Sequence, residues 1–315
     1  MTGDESGIII KKQKTERKWG SVKKTVLFGA GQIGTMLFRL LSGEYQAVCF
    51  ADNAEGKWGR DLLGIPICSP SESLKMHPDC VCLCVLDAER SEQMRAQMKS
   101  LGFEGEVLTP DALKIFDVRT ATMRLLAEQI RQEGIPGDAA ELGVYRGEFA
   151  AHIHAALPDR YIHLFDTFEG FQRQDVALEA AEKLSRAKTG DFSETSVELV
   201  RSRLPYPETA VFHKGWFPES FAGCEKLRFS IVSIDADLYA PTAAALPIFW
   251  ERLSPGGVLL IHDVNSTQFS GTGKAVREFC SEEGIYPLPV CDLHGSVILQ
   301  KPGKYQDKEE SGHDS

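Results

Sequence analysis

The sequence predicts an α/β protein whose mostly parallel sheets carry helices on both faces. Short apolar segments alternate with segments of helical periodicity along most of the chain, which is typical of parallel sheets. Two apolar segments end in glycine-containing turns that lead into helical segments, FGAGQIG at residues 28–34 and ELGVYRG at residues 141–147. We therefore expect two α/β units between flexible tails, with boundaries at residues 1–22, 23–115, 116–302 and 303–315.

The composition is that of a soluble globular protein. The 315 residues are 43% hydrophobic and 25% charged, and no apolar run approaches the roughly 18 residues that a membrane span needs. The formal net charge of −10 disfavours a nucleic-acid partner. The N-terminus lacks the small-residue cleavage site of a secretory signal. We therefore expect a cytoplasmic protein with neither a membrane nor a nucleic-acid partner.

Three of the eight cysteines alternate along one apolar segment, DCVCLCVL. Alternation in a strand puts Cys80, Cys82 and Cys84 on one face of a sheet, and no second ligand pair at zinc-like spacing lies nearby. We therefore interpret these thiols as core residues of a protein in a reducing compartment.

The first unit opens with a strand at residues 25–28 and a G-x-G-x-x-G turn formed by Gly29, Gly31 and Gly34. Asp52 ends a second predicted strand, AVCFAD. This pattern can hold a nucleotide, because glycines let backbone N–H groups approach a phosphate and the acid can accept hydrogen bonds from ribose. The unit is short and carries no evident catalytic residues, so a purely structural or assembly role stays open beside nucleotide binding.

The second unit begins with a helical segment that starts near Phe116. Predicted strands follow at residues 138–142, 160–165, 209–213, 227–234, 257–262, 286–290 and 295–300. Predicted helices lie at residues 147–157, 194–203, 242–253 and 272–283. Because ligands bind outside the carboxyl ends of the strands in such sheets, residues at strand ends are the candidate site.

The turn after the first strand of this unit offers Glu141, Gly143 and Gly147 without the dinucleotide spacing. Such a turn suits a ligand that lacks a pyrophosphate, such as the methionine portion of S-adenosylmethionine, with Glu141 near its cationic amino group. Asp166 ends the second strand, where its carboxylate can accept two hydrogen bonds from ribose hydroxyls. Turn geometry for the glycines and helix capping for the acid are the alternative interpretations.

Two further apolar segments end in side chains that can bind a metal. The segment IVSIDADLYAPT stops at Asp235 and Asp237, and GGVLLIHDVNS stops at His262 and Asp263. These side chains should lie at the same edge of the sheet, because both segments are strands of one mostly parallel sheet. The sequence therefore indicates a site at this edge.

Several stretches together resemble the macrocin O-methyltransferase (TylF) family over about residues 120–300: ELGVYRGEFA, FDTFEGF, KGWFPES, IDADLYAPT and LSPGGVLLIHDV. The resemblance implies a class I methyltransferase fold, a Rossmann-like sheet of seven strands with the last strand reversed, for which GSVILQK at residues 295–301 is the candidate. It also implies metal-dependent methylation of sugar hydroxyls by S-adenosylmethionine. The N-terminal unit resembles the small Rossmann-like domain at the front of some sugar-modifying acyltransferases and methyltransferases.

In that family a magnesium ion is held by the first acid of a D-x-D-x-Y stretch and by a following pair of aspartates. Asp235 matches the first acid and Asp263 matches the second acid of the pair, but His262 takes the place of the remaining one. Imidazole suits manganese, iron or zinc better than magnesium. Three interpretations stay open: His262 binds a softer divalent ion, it lies beside a magnesium site, or it acts without a metal.

A divalent ion that binds vicinal oxygens of the substrate would lower the pKa of the hydroxyl and orient it. We expect Asp235 to serve as ligand and base, and His213 of VFHKGWF to be a second candidate base, with core packing as its alternative role. Trp216 and Phe217 are expected near the adenine that the resemblance implies, by stacking or by ordinary packing. The competing interpretation of the cluster is that Asp235 caps a helix that begins near Thr242 and that His262 is a core residue with its hydrogen bonds satisfied.

The charged segment at residues 167–191 is too long for a simple connection, and we interpret it as a lid that shapes the acceptor site. The leading hypothesis is an O-methyltransferase that acts on a small hydroxylated, glycosyl or natural-product acceptor. A nicotinamide-dependent sugar oxidoreductase that uses the N-terminal glycine turn and a non-catalytic assembly protein are the alternatives. The sequence leaves open a homo-oligomer, the methylated position and the identity of the metal, Mg²⁺ or Mn²⁺.

Overall fold

A computed structural model describes residues 22–292 and 295–303 of the chain. The tails predicted at residues 1–22 and 303–315 lie almost wholly outside these ranges. The described residues form two sheets, one in each of the two predicted units. None of the described helices is both long and apolar enough to cross a bilayer.

The N-terminal unit is a small, mostly parallel α/β unit. Its elements are β1 (Lys23–Phe28), α1 (Gln32–Leu40), β2 (Tyr45–Ala51), β3 (Asp61–Leu62), β4 (Ile65–Cys68), α2 (Pro70–Leu74), β5 (Cys80–Leu83), α3 (Ala88–Ser100) and β6 (Glu106–Leu108). The strand order is β3-β4-β2-β1-β5-β6, and β3 pairs antiparallel with β4. Cys80, Cys82 and Cys84 are all buried in one apolar cluster, which confirms that they face one side of the sheet.

The second unit carries the larger sheet. Its elements are α4 (Val118–Gln132), β7 (Asp138–Leu142), α5 (Glu148–Ala156), β8 (Ile162–Asp166), α6 (Arg173–Ala181), α7 (Val197–Arg203), β9 (Ala210–Lys214), β10 (Phe229–Ile234), α8 (Tyr239–Arg252), β11 (Leu253–Ile261), α9 (Ser270–Glu283), β12 (Leu288–Pro289) and β13 (Val297–Gln300). The seven strands follow the order β12-β13-β11-β10-β7-β8-β9. β13 runs antiparallel to β11, so the predicted reversal of the last strand is confirmed.

The central strand β10 is buried along its whole length, and its side chains alternate between two apolar cores. Val232 and Ile234 pack in the core with residues of α8 and α9, whereas Ile231 packs in the core with residues of α4 and α5. A strand that is buried on both faces has a continuous apolar sequence, so the first charged residue after it shows clearly where it ends. β10 lies between β7 and β11, so the ends of these three strands meet.

The start of helix α8 is one of several boundaries in the second unit that differ from the prediction. Helix α8 begins at Tyr239, three residues before the predicted start near Thr242. The backbone N–H of Tyr239 donates to Oε1 of Glu179 at 2.7 Å, so a carboxylate from helix α6 occupies this helix end. The interpretation of Asp235 as the cap of this helix is therefore wrong.

The two units meet at a buried ion pair. The Arg124 guanidinium of helix α4 bonds to both carboxylate oxygens of Glu44, and both side chains are almost fully buried. Beside this pair, a Cβ atom on Gly43 would lie only 2.3 Å from the carbonyl oxygen of Ala156 in helix α5. This close approach leaves no room for a side chain at position 43, so the loop after α1 packs tightly on the second unit.

Candidate active site

A cavity of about 580 Å³ opens at the carboxyl ends of the central strands of the larger sheet. Seven of the nine residues predicted for the site line this cavity: Glu141, Gly143, Asp166, Trp216, Asp235, His262 and Asp263. The remaining two, Gly147 and His213, are not among its lining residues. The predicted convergence of the strand ends is therefore present in the fold.

The turn between β7 and α5 needs glycine at two positions for packing reasons. Gly143 has a φ of +81°, and a Cβ atom there would lie 2.0 Å from the carbonyl oxygen of Asp235. Gly147 has a φ of +80°, and a Cβ atom there would lie 2.7 Å from Cγ1 of Val200 in helix α7. The first glycine lets this turn approach the end of β10, and the second lets α7 pack behind the cavity.

Glu141 is a buried carboxyl group that faces the cavity, with only 1% of its surface exposed. Its Oε1 accepts a hydrogen bond from the Ser233 hydroxyl at 3.1 Å, whereas its buried Oε2 has no partner among the described residues. Burial raises the pKa of Glu141 to about 8, although the nearby Arg119 opposes this shift. A cationic ligand group beside Oε2 would satisfy this acceptor and compensate the charge of the ionised form.

Asp166 lines the cavity, and its carboxylate also holds the β7–α5 turn in place. Its Oδ2 accepts from the backbone N–H groups of Val144 at 2.7 Å and Tyr145 at 3.0 Å, and its Oδ1 accepts from the N–H of Phe168 at 2.7 Å. An ionised carboxylate has about four acceptor positions, so these three bonds leave room for a ligand hydroxyl. Asp166 therefore organises the turn whether or not it also binds ribose.

The three predicted metal ligands lie together. The Nδ1 atom of His262 is 3.0 Å from Oδ1 of Asp235 and 3.3 Å from Oδ2 of Asp263. One ligand atom from each residue can be chosen so that all lie within 4.8 Å of one another. Such a set of one imidazole nitrogen and two carboxylates can hold a divalent ion, or it can share a proton.

A guanidinium group also enters this cluster. Nη1 of Arg119, in the first turn of α4, lies 2.7 Å from Oδ2 of Asp235. Although burial opposes ionisation, Arg119 and His262 hold the pKa of Asp235 well below its usual range. Burial likewise opposes the charge of His262, but hydrogen bonds to Asp235 and Asp263 raise its pKa to about 9. Asp235 is therefore a carboxylate and His262 an imidazolium at neutral pH in the metal-free protein.

The structure does not bring His213 to the cavity. Its Nε2 lies 2.9 Å from Nδ1 of His163 and its ring stacks on Phe165 with centroids 4.3 Å apart. Its Nδ1 lies 3.6 Å from Sγ of Cys224. Burial, and then the neighbouring His163, lower the pKa of His213 to about 4. The structure therefore gives its role as a base no support and favours the packing interpretation.

The predicted lid contains helix α6 and closes one side of the cavity. Asp175 of this helix accepts a hydrogen bond from Nε1 of Trp216 at 2.9 Å, and both residues line the cavity. The segment is also tied to α9, because the backbone N–H and the hydroxyl of Ser270 both donate to the carbonyl of Leu184. The predicted lid is therefore hydrogen-bonded both to Trp216 and to the start of α9.

Aromatic rings form the wall of the cavity next to the lid. Phe192 contacts Tyr145 and Phe171 edge-on, with ring centroids 5.4 Å and 5.1 Å away, and Phe171 contacts Phe269 at 6.0 Å. All four rings line the cavity. The site thus combines a charged floor with an apolar wall, which suits a ligand with both a hydroxylated and an apolar part.

The N-terminal glycine turn borders a second cavity, which is lined by Gly31, Asp52 and Lys57 among others. Oδ2 of Asp52 accepts from Nζ of Lys57 at 2.7 Å and from the N–H of Ala30 at 2.9 Å. Its Oδ1 accepts from the N–H of Ala54 at 2.9 Å, so these three bonds leave one acceptor position, as in Asp166. The predicted ribose-binding role of Asp52 therefore stays a prediction.

Arg119, Asp175 and Glu179 are charged residues of this region that were not predicted as site residues. Arg119 lies in a predicted helical segment and the two acids lie in the predicted lid, and each has other charged residues near it in the sequence. Nothing in these patterns distinguishes a charged side chain of a site from one that faces water. Arg119 and Asp235 are 116 positions apart in the chain. Only the packing of α4 against the sheet brings them together.

Comparison with known proteins identifies the larger unit. The family model described as macrocin-O-methyltransferase (TylF) matches residues 111–299, more than half of the chain. The 8-demethyl-8-(2,3-dimethoxy-α-L-rhamnosyl)-tetracenomycin-C 4'-O-methyltransferase of Streptomyces olivaceus is 27% identical over 191 residues, which cover 58% of this chain and 72% of that enzyme. The mycinamicin III 3''-O-methyltransferase of Micromonospora griseorubida is 30% identical over 179 residues, 53% of this chain and 69% of that enzyme.

Among solved structures, that of the O-methyltransferase NovP is similar with a TM-score of 0.49 and 20% identity, and covers 59% of this chain and 80% of that one. The seven-stranded sheet with its reversed β13 agrees with the fold expected from the sequence motifs. The family match extends over β7 to β13 and all the residues of the cavity. The chain therefore belongs to the macrocin O-methyltransferase (TylF) family of methyltransferases.

Proposed function

We propose that this protein transfers the methyl group of S-adenosylmethionine to a hydroxyl group on the glycosyl part of a small natural-product acceptor. The observation that carries the proposal is that one cavity is lined both by four of the five predicted cofactor residues, Glu141, Gly143, Asp166 and Trp216, and by the Asp235–His262–Asp263 cluster. The two relatives support the acceptor class, because their names specify O-methylation of a rhamnosyl tetracenomycin derivative and of mycinamicin III.

The residues around the β7–α5 turn fit the cofactor. The unpartnered Oε2 of Glu141 suits a cationic amino group, and Asp166 retains an acceptor position for a ribose hydroxyl. Trp216 and Phe217, which also line the cavity, offer apolar surface for an adenine ring. The bound cofactor would supply a methyl group on a sulfonium, which an oxygen nucleophile can attack.

We further propose that Asp235, His262 and Asp263 hold a divalent ion. Their donor set of two carboxylates and one imidazole fits manganese better than magnesium, and their ligand atoms lie close enough for one ion. When bound, the ion would act as a Lewis acid toward the acceptor oxygens. Because His262 is protonated in the metal-free protein, binding of the ion requires loss of this proton.

Asp235 is the proposed proton acceptor. It is ionised at neutral pH and lines the cavity, so it can accept a hydrogen bond from the substrate hydroxyl. Because its pKa lies well below the usual range, it would take the proton only from a hydroxyl that the bound ion has made more acidic. Arg119 binds its Oδ2 and His262 binds its Oδ1, which fixes the orientation of the carboxylate. The aromatic wall of Tyr145, Phe171, Phe192 and Phe269 is proposed to cover the apolar part of the acceptor.

The N-terminal unit, residues 23–115, is proposed to be a structural domain that stabilises the methyltransferase domain, residues 116–302. The buried Arg124–Glu44 pair and the close contact at Gly43 support a fixed attachment. The oxidoreductase alternative is not favoured, because the family match covers residues 111–299 with a methyltransferase model.

Ligand-induced thermal shifts test the proposed function. S-adenosylhomocysteine should raise the melting temperature, because a ligand that binds only the native state stabilises it. Methyl transfer to glycosylated acceptors, followed by mass spectrometry as a gain of one methyl group, tests the reaction itself. Stabilisation by NADH but not by S-adenosylhomocysteine would instead support the oxidoreductase hypothesis. No shift with either ligand, and no methylated product from any acceptor, would support the assembly protein.

A further inference from the structure

Arg119 is a nearly buried cation on the wall of the cavity, with 12% of its side chain exposed. Its Nη1 donates to Asp235 at 2.7 Å and its Nη2 donates to the Ser233 hydroxyl at 3.2 Å. The guanidinium carbon also lies 3.9 Å from the ring centroid of Phe149 in helix α5. These three contacts fix the plane of the guanidinium at the end of strand β10.

The hydrogen-bonding capacity of Arg119 is only partly used. A guanidinium has five N–H groups, and the two hydrogen bonds to Asp235 and Ser233 account for two of them. Its Nε is buried and has no partner among residues 22–292 and 295–303. This buried Nε is closed to a ligand in the present conformation, whereas Nη1 and Nη2 each retain one N–H group that can donate to an anionic ligand group.

Arg119 and the unpartnered carboxyl of Glu141 are joined through one hydroxyl group. The Ser233 Oγ accepts from Nη2 of Arg119 and donates to Oε1 of Glu141 at 3.1 Å. A cation and a carboxyl group that can ionise therefore border the same cavity and are bridged by one serine hydroxyl. An α-amino acid carries the complementary pair, a carboxylate and an ammonium group on one carbon atom.

We propose that Arg119 binds the carboxylate of the amino-acid end of S-adenosylmethionine, while Glu141 binds the ammonium group beside it. This inference rests on the proposed cofactor, and it adds a recognition residue from α4, outside the β7–α5 turn. It also links the cofactor to the reaction centre, because the same guanidinium holds one oxygen of Asp235.

A second arginine, Arg146, also lines the cavity and offers the obvious competitor. It lies in the β7–α5 turn, and its buried Nε has no hydrogen-bond partner among the described residues. Arg119 is the better candidate, because it shares the Ser233 hydroxyl with Glu141 and so adjoins the proposed ammonium site. Arg146 therefore serves as the matched control.

Titration calorimetry with two ligands tests the inference. S-adenosylhomocysteine carries the ammonium and the carboxylate, and its decarboxylated analogue carries the ammonium alone. The parent protein should bind the complete ligand about 10- to 100-fold more tightly than the analogue, as expected for a charged hydrogen-bonded pair. Arg119→Gln should lose this preference, because its affinity for S-adenosylhomocysteine should fall while its affinity for the analogue stays the same. Arg119→Lys should retain part of it, and Arg146→Gln should retain all of it.

Equal affinity of the parent for the two ligands would overturn the inference without any variant. The inference would also be overturned if Arg119→Gln still bound S-adenosylhomocysteine more tightly than the decarboxylated analogue, or if Arg146→Gln lost this preference. A general loss of packing would weaken the binding of both ligands. It would also weaken the binding of 5'-methylthioadenosine, which lacks the amino acid and therefore serves as the control. If the parent bound none of these ligands, the proposed cofactor itself would be wrong.

Discussion

The Nδ1 atom of His262 lies 3.0 Å from Oδ1 of Asp235, so a ring nitrogen and a carboxylate oxygen meet where two parallel strands end. Asp263 approaches the same nitrogen at 3.3 Å. The pKa of His262 is about 9 in this environment, because its hydrogen bonds to the two carboxylates outweigh the effect of burial. Without a metal, the positive charge of protonated His262 compensates negative charge on Asp235 and Asp263. A metal ion can bind through His262 only after this proton is lost.

The first prediction concerns the stability of the metal-free protein. The pKa of His262 is raised above its ordinary value of 6.5, so protonation stabilises the fold fully below about pH 6.5. This contribution is lost as the pH rises through about 9. In EDTA, the parent should therefore be more stable than His262→Gln at pH 6, and the difference should shrink by pH 9.5. Urea unfolding at several pH values measures this, and a difference independent of pH would contradict it.

The second prediction concerns the metal. EDTA should abolish methyl transfer, and added Mn²⁺ should restore more activity than Mg²⁺, because a nitrogen ligand favours the softer ion. His262→Asp should move the preference toward Mg²⁺. Asp235→Asn should lower activity most, since it removes a charge that both the ion and the proton transfer use. Full activity in EDTA, together with an active Asp235→Asn variant, would exclude a metal at this site.

The third prediction concerns Glu141 and protons. With a pKa of about 8, this carboxyl group is mostly protonated at pH 7, and it must ionise to pair with an ammonium group. Binding of S-adenosylhomocysteine at pH 7 should therefore release up to about one proton per site. Calorimetry in buffers of different ionisation enthalpy measures the number released. Glu141→Gln should abolish the release and weaken binding, and unchanged proton release in this variant would assign it to another group.

The fourth prediction concerns Asp166. Asp166→Ala removes the acceptor for three backbone N–H groups and for the proposed ribose hydroxyl. We expect binding of S-adenosylhomocysteine to weaken by about 1 to 3 kcal/mol. Glu169→Ala is the matched control, since Glu169 is an exposed acid three positions further on, and its affinity should match that of the parent. An unchanged dissociation constant in Asp166→Ala would show that the ribose lies elsewhere.

The fifth prediction separates steric crowding from backbone conformation. Gly143 and Gly190 have similar φ values, +81° and +86°, but a Cβ atom on Gly190 would have no neighbour within 4 Å. Gly190→Ala should cost about 1 kcal/mol of unfolding free energy from the backbone alone. Gly143→Ala should cost about 1 to 3 kcal/mol more, because the β7–α5 turn would be pushed away from Asp235. Urea denaturation measures both variants, and equal losses would contradict the steric argument.

The sequence by itself determined the features that arise from short-range periodicity and turn chemistry. The apolar runs of β10 and β11 end at Asp235 and at His262, and the parallel order brings these ends to one edge. The one-face arrangement of Cys80 and Cys82 follows from the two-residue period of a strand. Such patterns are readable because each depends on residues close together in the chain.

Only the tertiary structure decided which charges meet. Arg119 of α4 contacts Asp235, which lies 116 positions later in the chain. The start of α8, for which Asp235 was a candidate cap, is instead bound by Glu179 of the predicted lid. Lys57 is only five positions from Asp52 in the chain, but the two pair because the intervening loop brings the Lys57 side chain to the glycine turn. A charged side chain looks the same in sequence whether it faces water or a buried partner. The difference arises from burial and from electrostatic interactions between distant segments, which exist only once the helices have packed on the sheet.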